Sequence, residues 1–366
     1  MKESRKRIWL LIVALAILLN LVGCTTEPIE DKAMASQAAL PEIETESAAE
    51  EIPMTEETEP PILEGELFLK VSAITFSVVG ESEDIYLGVI PRELVTWSSE
   101  DPDIVSVENG VLTAVNVGTT VIYASYADRE VSCTAGCLAQ DREKLEAMSP
   151  EILGAPKWLP PEVDLEEPCV YFDNAAIVGD SITYVMMQHE NNSNALGDMT
   201  FLARGGVSVM GFVLRSKNMM FQGRELVLEE AIAQAQVERV YFLLGSNDVA
   251  ADYDMDTMME NWRILLTRIR DKSPKVEIAL ISSIPRHNMS GSYNRRTIEY
   301  NMNLRQLVKE YGGMYLDLHS YVQDHLGRLP DIYRFDDTHL NELGCTVWMK
   351  IMRYYARYES EGGILE

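Results

Sequence analysis

Ser181 is the residue of this sequence whose surroundings best suit a nucleophile. It follows an apolar run and opens a helical segment in the stretch AAIVGDSITYVM. A serine hydroxyl is a poor nucleophile at neutral pH and needs an adjacent base. His339 could accept its proton, and Asp336, three residues earlier, could orient the imidazole and stabilise its charged form. These residue types therefore suit a Ser-His-Asp arrangement, if the fold brings distant parts of the chain together.

Two further polar motifs also follow apolar runs. They are RGG at 204–206 and GSND at 245–248. A glycine allows the backbone to approach a substrate without a Cβ atom, and an asparagine amide can donate a hydrogen bond to a developing oxyanion. Each motif alone is also ordinary turn or helix-cap chemistry. Only their joint occurrence with Ser181 and His339 favours a catalytic arrangement.

The elements that must position these residues alternate in type from Tyr171 onward. Short apolar strands are predicted at AAIVG, MTFLA, RVYFLLG, VEIALISSI and MYLDL. Helical segments are predicted at RELVLEEAIAQAQ, MDTMMENWRILLTRIRDK, YNRRTIEYNMNLRQLVKEYG and LNELGCTVWMKIMRYYARY. This alternation predicts an α/β domain with a parallel sheet covered on both faces. The carboxyl ends of such strands gather at one edge, where active sites form.

The motifs, in this order, resemble the blocks of the SGNH hydrolase family (GDSL-type esterases) over residues 171 to about 358. The resemblance implies a flavodoxin-like, three-layer fold and a serine esterase that uses no metal and no cofactor. It makes Ser181 the nucleophile, His339 the base and Asp336 its carboxylate partner. The block at 336–339 reads DDTH, where the family often has a glycine after the first aspartate, so Asp337 could compete with Asp336.

The same resemblance implies an oxyanion hole with three donors. They are the backbone N–H of Ser181, the backbone N–H of a glycine in the second block, and the side chain of Asn247. Gly206 fits the glycine role best, and Gly205 is the alternative.

The N-terminus, residues 1–24, is predicted to be a lipoprotein signal peptide. Basic residues precede the apolar run 8–19, and Leu21-Val22-Gly23-Cys24 resembles a bacterial lipobox. Cys24 would then carry a diacylglyceryl group, and two acyl chains anchor firmly. A plain signal peptide or a transmembrane anchor is the alternative, but the apolar run is short for a membrane span. We expect an extracytoplasmic protein, lipid-anchored to the membrane at the bacterial cell surface.

Residues 25–65 are predicted to be a disordered acidic tether. Positions 27–66 hold thirteen Asp or Glu and one Lys, and the whole chain has a formal net charge of −27. This charge argues against nucleic-acid binding and against docking on anionic lipid through basic residues.

Residues 66–137 have the alternating pattern of a small all-β sandwich. The stretch VTWSSEDPDIVSVENGVLTAVNVGTTVIYAS resembles the group 2 bacterial immunoglobulin-like (Ig-like) domain. The resemblance makes Trp97 a core aromatic residue and Glu108-Asn109-Gly110 a hairpin turn. Such domains serve as spacers, and some contact cell wall or glycan. Residues 138–170 then form a proline-containing linker to the hydrolase domain at 171–366.

Four further cysteines are Cys133, Cys137, Cys169 and Cys345. Export permits disulfides, but the spacing does not dictate pairs. A zinc site is not favoured, because no histidine or second cysteine pair lies at finger spacing.

Taken together, these features favour a surface-anchored serine esterase that removes small acyl groups, most simply O-acetyl, from an extracellular glycan through an acyl-serine intermediate. A lipase or lysophospholipase of the same family would differ only in its pocket. A surface adhesin that binds polysaccharide without cleaving it is the alternative from another class, although such a protein has no need of the complete catalytic set.

Overall fold

The computed structural model describes residues 63–288 and 291–363. Its strands are β1 (Phe68–Leu69), β2 (Ala73–Val78), β3 (Ser82–Asp84), β4 (Tyr86–Leu87), β5 (Thr96–Ser99), β6 (Val105–Glu108), β7 (Val111–Ala114), β8 (Gly118–Tyr126), β9 (Arg129–Ala139), β10 (Trp158–Leu159), β11 (Ala175–Gly179), β12 (Thr200–Ala203), β13 (Met219–Phe221), β14 (Arg224–Leu226), β15 (Arg239–Leu243), β16 (Glu277–Ile281) and β17 (Met314–Leu316). Its helices are α1 (Arg142–Glu146), α2 (Pro150–Leu153), α3 (Ser181–Ser193), α4 (Val209–Val213), α5 (Leu228–Ala235), α6 (Ser246–Ala250), α7 (Met255–Lys272), α8 (Gly291–Glu310) and α9 (Glu342–Ser360).

The C-terminal half is built on a five-stranded sheet with the order β12-β11-β15-β16-β17. All of its strand pairs are parallel, which confirms the predicted parallel sheet. Parallel strands are buried on both faces and therefore read as continuous apolar runs. In β11, Ala175 and Ile177 belong to one core cluster, and Ala176 and Val178 belong to the other.

Helices cover both faces of this sheet and complete three layers. On one face, α3 and α9 contribute Ile182 and Trp348 to the core. On the other face, α5, α7 and α8 contribute Ile232, Trp262 and Tyr300. The four helices predicted from the periodicity correspond to α5, α7, α8 and α9.

The strand order reverses at β11. The next strand along the chain, β12, pairs with one side of β11, whereas β15 pairs with the other side. Connections that leave a sheet in opposite directions open a crevice outside the carboxyl ends of the two strands. Ser181 follows β11 and Asn247 follows β15, so this crevice lies beside two of the predicted site residues.

The N-terminal half forms a sandwich of β-sheets. One sheet has the order β10-β2-β9-β8-β5, and a second has the order β3-β7-β6. Every strand pair in them is antiparallel except β2 with β9. Asn109 and Gly110 connect β6 to β7 with positive φ at both positions, as expected for a two-residue hairpin turn. The Ig-like assignment itself stays a prediction.

Trp97 is half-buried and packs edge-to-face on Tyr86, with 5.5 Å between ring centroids. Residues 138–170, expected to be a linker, contain the short helices α1 and α2 and the strand β10, which pairs with β2. This segment therefore adds an edge strand to the sandwich.

Gly65–Glu366 form one compact unit in which the sandwich packs directly on the three-layer part. Phe68 contacts Tyr354 and Tyr358 of α9, with ring centroids 5.6 Å and 5.4 Å away. The Tyr354 hydroxyl also accepts a hydrogen bond of 3.1 Å from the backbone N–H of Leu69. Trp158 packs on Tyr321 at 5.3 Å between ring centroids. Within the described residues, no helix has the length and apolar character needed to cross a membrane.

Candidate active site

Ser181 is the first residue of α3, directly after the turn that ends β11. The N-cap is Asp180, whose side chain accepts a hydrogen bond of 2.9 Å from the backbone N–H of Ile182. Capping therefore falls to Asp180 and leaves the Ser181 hydroxyl for another partner. The turn is tight, because a Cβ atom on Gly179 would lie 1.8 Å from Thr183 Oγ1. Glycine at position 179 is thus what lets the strand pass into the helix here.

His339 joins the serine to a carboxylate. Its Nε2 lies 2.8 Å from Ser181 Oγ, and its Nδ1 lies 2.8 Å from Asp336 Oδ2. The carboxylate can only accept, so Nδ1 carries the proton and Nε2 is left to accept the serine proton. The structure thus brings together the three residues that the sequence predicted as a set, from the first and last parts of the domain.

Asp336 is held in its ionised form. Burial by itself would raise the pKa of Asp336, but hydrogen bonds outweigh this effect. The donors are the His339 side chain and the backbone N–H groups of Thr338 and His339, at 2.8, 2.7 and 2.8 Å. They lower the pKa of Asp336 to about 2. The carboxylate is therefore negative at neutral pH and can stabilise a histidine cation.

Asp337, the competing carboxylate, points elsewhere. Its Oδ1 accepts a hydrogen bond of 2.9 Å from Asn288 Nδ2 and lies 3.6 Å from Arg334 Nη1. The geometry therefore supports Asp336 as the partner of His339.

The second motif presents a glycine whose conformation other residues avoid. Gly206 has a φ of +70°, and a Cβ atom there would meet nothing within 4 Å. The space beside Gly206 is open, so the positive φ is what favours glycine at this position. Gly205 has neither a positive φ nor a close neighbour. This difference supports Gly206 over Gly205 as the glycine that the site requires.

Asn247 connects the three N-terminal motifs of the site. Its Nδ2 donates to the backbone oxygen of Val207 at 2.7 Å and to Asp180 Oδ2 at 3.3 Å. The next residue, Asp248, accepts hydrogen bonds of 3.0 Å from the backbone N–H groups of Val209 and Met210. The loop after β12 is thus fixed to the loop after β15 by two adjacent side chains.

Asp180 and Asp248 are the site residues that the sequence reasoning left without a specific role. Both are buried, with 1 % of the surface exposed. Their position inside the motifs GDS and GSND is the sequence signal that could have found them. A carboxylate that is buried at such a strand end requires hydrogen-bond donors and therefore holds nearby groups in place. The donors to Asp248 are the backbone N–H groups of Val209 and Met210. The donors to Asp180 are the backbone N–H of Ile182 and the side-chain amide of Asn247.

Burial raises the pKa of Asp180 to about 6, although the backbone N–H of Ile182, the His339 side chain and Arg286 each oppose the rise. A carboxyl group with a pKa close to neutral pH therefore lies behind the serine.

Among the described residues, no group of three or more His, Cys, Asp or Glu side chains is placed to hold a metal ion. Nor does any of the four cysteines in that part form a disulfide.

Comparison with known proteins assigns a class to this site. Residues 177–347 match the model of the GDSL-like lipase/acylhydrolase family. The matched segment runs from β11 into α9 and contains every site residue described above. The chain carries a GDSL-type hydrolase domain and is a serine esterase or acylhydrolase.

Two solved structures resemble part of this chain at low identity and low structural similarity. A GDSL-like lipase from Bacteroides thetaiotaomicron is 15 % identical, with a TM-score of 0.42, over 53 % of this chain and 92 % of that chain. An acetylxylan esterase from Geobacillus stearothermophilus is 16 % identical, with a TM-score of 0.37, over 49 % of this chain and 92 % of that chain. No curated protein matches the sequence. We therefore base the class on the family match and the site geometry.

The contrast between the two neighbouring aspartates can be tested directly. We expect Asp336→Asn to lower kcat for an ester substrate by roughly 10²- to 10⁴-fold, because an amide can neither fix the tautomer nor stabilise the imidazolium. The matched variant Asp337→Asn should stay within about threefold of the wild type, since Asp337 does not contact His339. Steady-state kinetics on both variants provides the measurement, and equal losses would contradict the assignment.

Asp180 should make stability depend on pH in a defined direction. Its pKa in the folded chain is about 6, above the ordinary value of 3.8, so the folded state holds this proton more tightly. Ionisation then opposes folding increasingly as pH rises from about 4 to about 6. A shift of this size corresponds to on the order of 3 kcal/mol.

The variant Asp180→Asn lacks this ionisation. We expect the free energy of unfolding of the wild type, relative to that of the variant, to fall by about 3 kcal/mol between pH 4 and pH 7. Urea denaturation at several pH values measures it. A difference between the two proteins that does not change with pH would show that the Asp180 pKa is not raised.

Proposed function

We propose that this protein is a surface-anchored serine esterase that removes small acyl groups, most simply O-acetyl, from an extracellular glycan. The observation that carries the catalytic part is the chain of two 2.8 Å contacts from Ser181 through His339 to Asp336. A nucleophile, a base with an available nitrogen and an ionised carboxylate are the three groups that a Ser-His-Asp triad uses for acyl transfer.

In the proposed reaction, Ser181 Oγ attacks the ester carbonyl carbon while its proton passes to His339 Nε2. Asp336 stabilises the resulting imidazolium through Nδ1–H. The carbonyl oxygen becomes negative and accepts hydrogen bonds from the backbone N–H groups of Ser181 and Gly206 and from Asn247 Nδ2. The C–O bond to the alcohol then breaks, and Nε2 returns the proton to the leaving oxygen. Water repeats the sequence on the acyl-serine and releases the acid.

Asn247 can serve the oxyanion without losing its structural role. Its 2.7 Å bond to the Val207 oxygen is short, whereas its 3.3 Å contact with Asp180 is long. Hydrogen bonds weaken toward this longer distance, so the N–H that faces Asp180 is the one that an oxyanion can capture. Loss of one such donor typically costs about 3 kcal/mol in the transition state.

The exposure of the site favours a small acyl group on a large alcohol. The side chains of His339 and Asp336 are 25 % and 49 % exposed, and the neighbouring Phe335 is 79 % exposed. A lipase gains about 0.8 kcal/mol for each CH₂ of the acyl chain that it buries, which requires an enclosed apolar pocket. An open site gains little in this way and gives access to a polymer, so we favour a glycan ester over a lipid.

The proposed location is the outer face of the membrane. It is based on the lipobox-like sequence that ends at Cys24 and on the acidic segment 25–65, both outside the described residues except for positions 63–65. A lipid on Cys24 would anchor the protein. The acidic segment would extend the protein away from the membrane, and the sandwich would act as a spacer. A lipase-type esterase and a non-catalytic carbohydrate-binding adhesin are the alternatives that the following experiment separates.

The esterase prediction is tested with p-nitrophenyl acetate, butyrate and octanoate, using the chain from residue 25 onward. We expect the highest kcat/KM for acetate and a loss of at least about 10³-fold in Ser181→Ala. Ser132→Ala, at an exposed position of β9, is the matched control and should behave as the wild type. Hydrolysis that persists in Ser181→Ala would refute the mechanism. Preference for octanoate would favour the lipase, and polysaccharide binding without any hydrolysis would favour the adhesin.

The anchor is tested in a bacterial host that lipidates exported proteins. We expect the full chain to fractionate with membranes and to incorporate labelled fatty acid, because two acyl chains hold firmly. Cys24→Ala should lose the label and should no longer be held by acyl chains, whereas Thr25→Ala should keep both properties. Unchanged membrane association and labelling in Cys24→Ala would contradict the lipobox interpretation.

A further inference from the structure

A cleft of about 450 Å³ lies between the β-sandwich and the edge strand β17 of the parallel sheet. The sandwich contributes Lys70, Glu83 and Asp84, and the three-layer part contributes Arg305, Tyr315 and Asp317. The cleft therefore exists only because the two parts pack against each other. Its volume is in the range of about 300–1,000 Å³ that is usual for small-molecule sites.

We propose that this cleft, defined by those six residues, is a carbohydrate-binding site that holds part of the glycan whose ester Ser181 attacks. This proposal rests on the proposed glycan esterase function and adds to it a second contact with the same polymer. The catalytic residues do not line the cleft, so it is a separate site.

Glu83 is the group in the cleft that most clearly lacks a partner. Its side chain is half-buried, and it makes no hydrogen bond and no ion pair within the part of the chain that the structure describes. Burial raises the pKa of Glu83, Lys70 opposes the rise and Asp317 adds to it. A half-buried carboxyl group without donors is costly. A ligand that brings hydroxyl donors would remove this cost.

The other charged groups of the cleft are held in place by local bonds. Asp84 pairs with Arg92 at 2.8 Å, and Lys70 Nζ donates to the backbone oxygen of Asp84 at 2.7 Å. Asp317 accepts hydrogen bonds from the hydroxyl groups of Ser320 and Ser282, at 2.7 Å and 3.2 Å. The cleft thus presents charged groups whose positions are already set.

The mixture of these groups fits a polyol better than a lipid or a polyanion. Arg92 also lines the cleft, so three acids (Glu83, Asp84, Asp317) face three bases (Lys70, Arg92, Arg305), and the lining has no net charge to attract a polyanion. Burying an acyl chain against these charges would desolvate them without return. Sugar hydroxyl groups are donors and acceptors at once and can bind both signs. The ring of Tyr315, with the Arg305 guanidinium 5.9 Å from its centroid, offers an apolar surface to sugar C–H groups.

The position of the cleft relates it to the serine. Asp317 follows β17 and Ser181 follows β11, so both lie at the carboxyl edge of one sheet. Three strand spacings separate these strands, which at about 4.8 Å each is roughly 14 Å. An extended oligosaccharide can cover such a distance, and a p-nitrophenyl ester cannot. Substitutions in the cleft should therefore affect polymer substrates and spare small ones.

The test compares Glu83→Gln and Lys70→Gln with the matched control Glu130→Gln, at an exposed position of β9. Substrates are acetylated xylan, O-acetylated peptidoglycan, O-acetylated chitosan and p-nitrophenyl acetate. For each polymer that the wild type deacetylates, we expect both cleft variants to raise KM by roughly tenfold with little change in kcat, as loss of a hydrogen bond to a charged group predicts. Hydrolysis of p-nitrophenyl acetate and Tm should match those of the control.

A binding measurement separates this proposal from the esterase proposal. Ser181→Ala, which should bind without turnover, is titrated with the same three polymers, alone and combined with Glu83→Gln or Lys70→Gln. Weaker binding in the combined variants supports the cleft, even if the wild type fails to hydrolyse p-nitrophenyl acetate and the esterase proposal falls. The cleft proposal is overturned if no polymer binds, or if both cleft variants bind and turn over polymer as Glu130→Gln does.

Discussion

The amide of Asn247 is the contact on which the rest of the site depends. It donates to the loop after β12 through the Val207 oxygen and to the turn after β11 through Asp180. Three strand ends are thereby held at one point. Side-chain hydrogen bonds join the loops that lie beyond these strand ends. Asp248 reinforces the link by accepting from two backbone N–H groups at the start of α4. The positions of Gly206 and Ser181 follow from these bonds.

Two carboxyl groups of the site illustrate how environment sets ionisation. Asp336 lies near the surface and receives three hydrogen bonds, which lower its pKa to about 2. Asp180 is buried, and its pKa rises to about 6. The histidine lies close to both, but only Asp336 contacts its ring. Opposite shifts of this kind separate roles within one site. One carboxylate balances the histidine charge, and the other organises the backbone that holds the serine.

Much of the site could be predicted from the sequence, because spacing and strand ends carry that information. Apolar runs locate β11, β12, β15, β16 and β17, and the carboxyl edge of a parallel sheet gathers the polar residues located directly after these strands. The choice between Asp336 and Asp337 depends on which carboxylate points toward the imidazole, and side-chain direction in an irregular loop leaves no periodic signal. The roles of Asp180 and Asp248 likewise depend on burial and on donors from other loops, which are the Asn247 amide for Asp180 and two backbone N–H groups for Asp248.

The packing of the sandwich on the hydrolase domain was beyond sequence reasoning for a different reason. Its contacts join residues that are far apart in the sequence, such as Leu69 with Tyr354 and Ser77 with His325. The strand β10 is only two residues long and has no pattern to read. Each contact is ordinary chemistry, but nothing in the local sequence indicates which distant partner it has.

The same packing fixes the sandwich relative to the three-layer part. A spacer that swings freely would present a wet, polar interface, as mobile domains do. Here His325 is buried beside Ser77, 3.1 Å from its hydroxyl, and burial, assisted by Lys157, lowers the pKa of His325 to about 3. The buried His325 indicates a dry contact, as do Phe68 and Trp158 packed on aromatic rings of the other part. The sandwich is therefore a fixed wall of the hydrolase and not a separately moving domain.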